Sequence, residues 1–79
     1  MGDEVIIRFS RHAKRRAKLY GIAESTVTQL IEETDLVLGE QAIIRSVSGF
    51  RYPLKIVVSF DGDIVTIITS YPLKKGAAR

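Results

Sequence analysis

The chain has 79 residues, a formal net charge of +3 and no cysteine. A chain this short buries only roughly 60% of its unfolded surface, so residues 1–79 are expected to form one domain around one core. The missing cysteines exclude disulfides and thiolate metal sites and fit a reducing cytosol, and 46% hydrophobic with 27% charged residues describes an ordinary globular domain and argues against disorder.

Met1-Gly2-Asp3-Glu4 is acidic where a signal peptide would be basic, and no apolar run has the length of a membrane span, so a soluble, cytoplasmic protein is expected. Glu4 to Phe9 is short and rich in β-branched residues, the pattern of a strand partly buried on both faces. Ser10 then offers its side-chain oxygen to the free amides of a following turn, which predicts a helix from Ser10 to Tyr20. Ala13, Ala17 and Tyr20 share one stripe of that helix, and Lys14, Arg15 and Lys18 lie away from it. From Arg8 to Lys18 there are six Lys or Arg and no acid, with the chain's single histidine, His12, among them. Such a concentrated cationic field calls for a polyanion or an acidic partner.

Gly21 supplies the left-handed residue that commonly stops a helix, and Ile22 is placed to cover the junction. Val27, Leu30 and Ile31 repeat at helical spacing within Glu24 to Thr34, which predicts a second, acidic helix in a tight antiparallel pair with the first. Ile43, Ile44 and Val47 mark a strand over Ala42 to Ser48, and Gly49-Phe50-Arg51-Tyr52-Pro53 turns the chain. In the next strand Leu54, Ile56, Val58 and Phe60 alternate with Lys55, Val57 and Ser59.

Asp61-Gly62 is a strong hairpin signal, and as a two-residue turn it pairs Phe60 with Asp63 and Val58 with Val65. That register puts Leu54, Ile56, Val58, Val65 and Ile67 inward. It leaves Lys55, Val57, Ser59, Ile64, Thr66, Ile68 and Ser70 on an outer face too apolar to be freely solvated. Pro72 stops the last strand, and the tail from Lys74 onward is basic and expected to fray. The order is β-α-α-β-β-β, an α+β fold with a helical hairpin packed on one face of a small antiparallel sheet.

Phe9-Ser10-Arg11-His12-Ala13 with Arg16 four residues after the histidine, Tyr20-Gly21-Ile22, and Thr69-Ser70-Tyr71-Pro72 together resemble the domain-of-unknown-function family 4258. The resemblance runs from about Val5 to Lys75, and that family is similar in layout to the RelE/ParE toxins of toxin-antitoxin systems. It implies a sheet that cups a ligand on the face away from the helices and an acidic antitoxin peptide as partner. In RelE-type members it also implies metal-independent cleavage of RNA, with free or ribosome-associated RNA as the partner. ParE-type relatives act on a topoisomerase and cleave nothing. RelE-type sites use basic residues of the later strands and an aromatic residue near the C-terminus, and Arg45, Lys55 and Tyr71 occupy the matching elements here.

Cleaving RNA without a metal takes a base for the 2′-hydroxyl, cations to offset charge growing on the phosphate, and an acid for the leaving oxygen. His12 is the candidate base, with Arg16 one turn on and Lys55 of the sheet as candidate cations. Arg11, Lys14, Arg15 and Arg45 would hold further phosphates, and Phe50, Arg51 and Tyr52 would stack on a base. Each has a plainer alternative: His12 as a surface or capping residue, Arg16 paired with Glu32 or Asp35, the remaining cations as a solvated face, and the rings of Phe50 and Tyr52 folded onto the core. Asp61 and Asp63 read as turn residues, and one histidine without a cluster of acids provides no metal ligand set, so neither metal nor cofactor is expected. The rival to an RNA-binding toxin is a non-catalytic module whose outer sheet face takes a partner peptide. A DNA-binding antitoxin fits poorly, because no helix-turn-helix is visible.

Overall fold

The computed structural model describes residues 5–73. The elements are β1 (Ile6–Phe9), α1 (Arg11–Tyr20), α2 (Glu24–Glu32), β2 (Gly39–Arg45), β3 (Leu54–Phe60) and β4 (Ile64–Pro72). The order of elements is the one expected, but β2 begins and ends three residues earlier than Ala42 to Ser48, so Val47 lies outside the strand. Among the described residues no helix is long and apolar enough to cross a membrane.

One sheet holds all four strands in the order β1-β4-β3-β2. β2, β3 and β4 pair antiparallel as expected, but β1 lies parallel to β4, Ile6 beside Ile64 and Phe9 beside Ile67, so the sheet is mixed. A parallel neighbour requires a long crossover, and everything from α1 to β3 supplies it.

Each helix is built from local signals. Ser10 is extended, with φ −67° and ψ 163°, and its Oγ accepts the Ala13 amide at 3.0 Å. At the other end Gly21 is left-handed at φ 68°. The Ile22 amide donates to the Ala17 carbonyl at 2.8 Å and the Gly21 amide to Lys18 at 3.3 Å, a Schellman stop with Ile22 buried over it. α2 is preceded by Ala23 at the N-cap position, which has no capping side chain, and Glu24 in the first turn offers its charge to the helix dipole instead.

Ala13 and Ala17 are buried where α1 crosses β4, and Val27 and Ile31 of α2 turn inward too. Beneath them lie Ile43, Leu54, Ile56, Val58, Val65 and Ile67, the core. Each large aliphatic side chain removed from water there contributes roughly 1.5–3 kcal/mol. The small alanines let α1 sit close on the sheet and turn the helix's long charged side chains outward.

The β3–β4 register differs from the expected one in two steps. Phe60 faces Val65 and Val58 faces Ile67, a slip of two residues, because the turn centres on Gly62-Asp63 rather than Asp61-Gly62. The Asp61 amide donates to the Ile64 carbonyl, and the Asp61 carboxylate captures the Asp63 and Ile64 amides at 2.9 and 2.8 Å. A slip of two preserves the faces, so Val65 and Ile67 still point inward. A bulge then inserts Ile68, after which Val57 faces Thr69 and Ile56 faces Ser70. Ser70, expected on the outer face, is therefore fully buried on the core side, and Thr69 and Tyr71 take outer positions.

Candidate nucleic-acid interface

α1 is amphipathic in an extreme sense, with a methyl-lined inner stripe and cations almost everywhere else. Arg11, His12, Lys14, Arg15 and Lys18 are exposed. Among the described residues no carboxylate lies within 4.0 Å of any of these cations. Arg16 is half-buried, and its partner is not Glu32 or Asp35 but the hydroxyl of Tyr20, to which its guanidinium donates at 3.3 Å along the same helix. A neutral partner leaves the charge of Arg16 uncompensated among the described residues.

The outer face of the sheet, away from both helices, carries a second and sparser set of polar groups. Registered rows run Arg8–Thr66–Ser59–Glu40 and Tyr71–Lys55–Ile44 across the strands. Arg8 was not among the candidate site residues. Its place could have been found from alternation along β1, where Ile7 and Phe9 pack against the core and Arg8 must face the other way. Ile6 and Ile44, 59% and 51% exposed, make the same face partly apolar.

His12, Arg16 and Lys55 do not form one compact centre. His12 and Arg16 sit one turn apart on α1, whereas Lys55 lies between Leu54 and Ile56, both fully buried toward the helices, and so projects from the opposite side. The sheet and the core separate them. Arg11, Lys14 and Arg15 belong with His12, and Tyr71 belongs with Lys55 in the outer row.

Arg45 falls on the helix side: its guanidinium donates to the Thr34 Oγ1 at 3.3 Å, just beyond α2, and to the Ile44 carbonyl at 3.2 Å. In the β2–β3 connection the Arg51 guanidinium carbon stands 5.9 Å from the centre of the Tyr52 ring, a cation–π contact that employs both residues on each other. Phe50 packs against the core, as the plainer alternative had it.

Asp61 does turn chemistry, as expected. The amides of Ile64 and Asp63, in that order of effect, hold its carboxyl below the usual carboxylate range. What the arrangement offers chemically is a helix presenting guanidinium and ammonium groups to solvent, without a neighbouring carboxylate among the described residues, a set able to contact successive phosphates without reading bases. Compared with known protein families, curated proteins and solved structures, the chain matches none.

Proposed function

We propose that this is a cytoplasmic, toxin-like RNA-binding protein of RelE/ParE-like layout that grips the RNA backbone with α1. One observation carries the reading: Arg11, Lys14, Arg15 and Lys18 are exposed on a single short helix, and no carboxylate among the described residues is placed to neutralise them. Cations held that way gain affinity by releasing the counterions of a nucleic acid. Positioning of the backbone rather than a joint cleavage centre is the role the arrangement favours, since a substrate on α1 meets His12 and Arg16 but not Lys55.

The test is fluorescence anisotropy with an unstructured RNA oligonucleotide over a salt series. Four phosphate contacts on a single strand give a log–log slope of about −3 at roughly −0.7 per contact. The double substitution Lys14→Glu and Arg15→Glu is expected to weaken binding at least ~10-fold and to flatten the slope. Binding that ignores salt, or that survives the double substitution, overturns the reading. Growth arrest on expression, with chelator-resistant RNA cleavage lost in His12→Ala and Arg16→Ala, would extend it to a metal-independent endoribonuclease.

A second reading has its own observation. The exposed Ile6 and Ile44 on the uncovered sheet face suit a partner peptide such as an acidic antitoxin segment, which Arg8 and Lys55 would attract.

A further inference from the structure

The two edges of the sheet differ in a way that neither nucleic-acid binding nor the outer face accounts for. β1, at one edge, has four residues. β2, at the other, has seven, pairs with β3 without a register shift, and contains neither proline nor lysine. Natural sheets keep edge strands from pairing with foreign chains by making them short, by bulging them, or by placing proline or charge along them. β2 uses none of these along Gln41-Ala42-Ile43-Ile44, its only charges being Glu40 and Arg45 near the two ends. Ile44 and the preceding Leu38, 51% and 73% exposed, add apolar surface to the same edge.

We propose that β2 pairs antiparallel with β2 of a second copy of this chain, about a two-fold axis at Ile43. Opposed residues in an antiparallel pair share a face, and a two-fold axis perpendicular to the sheet keeps each copy's faces in place, so the partners must have the same parity. Centring on Ile43 sets Ala42 opposite Ile44 twice on the outer face, a small side chain against a large one, and Gln41 opposite Arg45 twice on the inner face. Glu40 then meets Ser46, and no like charges oppose one another.

The surroundings select this occupant over a foreign strand. Glu32, Glu33, Asp35 and Glu40 precede or begin β2, so an acidic peptide is repelled there, while a second β2 carries one charge of each sign. The two four-stranded sheets become one continuous sheet of eight strands, with both copies of α1 on the same side.

The chain has no cysteine, so the pairing can be trapped directly. Light scattering on the purified full chain over a dilution series is expected to give twice 8.8 kDa at high concentration. Ile44→Lys is expected to raise the dissociation constant at least ~10-fold with unchanged circular dichroism. An oxidised mixture of Ala42→Cys and Ile44→Cys chains is expected to yield mixed disulfide dimers well above what either variant gives alone, a result independent of how Ile44→Lys folds. A monomeric mass at every concentration, or cross-linking no better in the mixture than in the single variants, overturns the proposal.

Discussion

The hydroxyl of Ser10 donates to the carbonyl of Ile68 at 3.1 Å across 58 positions of sequence, while its oxygen accepts the Ala13 amide. One side chain therefore starts α1 and fastens that start to the bulge of β4. Ser10→Ala removes both bonds and is expected to cost about 1–2 kcal/mol. In a domain of this size that is a fall in melting temperature of several degrees, roughly 4–8 °C per kcal/mol. Ser10→Asp keeps the cap but has no proton for Ile68 at neutral pH, so it is expected to fall between the two in urea denaturation.

Ser70 predicts the opposite sign. Its hydroxyl is fully buried, and its Oγ has no hydrogen-bond partner among the described residues. An unsatisfied buried polar atom costs roughly 1–3 kcal/mol, so Ser70→Ala is expected to leave stability unchanged or to raise it. A loss of more than about 1 kcal/mol on chemical denaturation would show that the hydroxyl is satisfied in solution.

Ala17 and Lys18 are neighbours in sequence on opposite sides of α1. Ala17→Leu forces three extra carbons between the helix and β4 and is expected to destabilise by about 1–3 kcal/mol. Lys18→Ala is expected to stay within about 0.5 kcal/mol. Equal effects of the two in thermal melts would mean that α1 does not pack on its alanine stripe.

Asp61 links stability to pH. Its folded pKa is depressed by the Ile64 and Asp63 amides, so its contribution is fully present above the ordinary carboxylate range and is lost as pH falls through the lower folded value. Asp61→Asn keeps an oxygen for the two amides but cannot titrate. The difference in melting temperature between wild type and this variant is expected to hold at neutral pH and to close in acid below the ordinary carboxylate range. A difference that is flat across that window removes Asp61 from the acid response.

Much of this fold was legible in local chemistry. Ser10, Gly21 and the apolar spacing of Val27 and Ile31 are short-range signals; α1 starts and stops where they fall, and α2 starts at Glu24 as expected but ends at Glu32, two residues short of Thr34. The Asp61-Gly62 pair marked the hairpin but misplaced its centre by one residue, because the Asp61 carboxylate selects the turn by capturing amides that follow it. The bulge at Ile68 left no mark at all: its carbonyl is held by Ser10, far away in sequence, and the unforeseen extra residue put Ser70 on the wrong face. The candidate site divided for the same reason. Which side of a sheet a helix covers is a tertiary choice, and neither the resemblance nor the demands of RNA cleavage, which together grouped His12 with Lys55, could supply it.

The helix α1 keeps its structural duties and its charge on separate sides, Ala13 and Ala17 inward and the cations outward. Over evolutionary time such a helix can gain, lose or reverse charge without disturbing the scaffold that carries it. Substitutions on the outward side can therefore retune its polarity while the two inward methyl groups keep the helix seated.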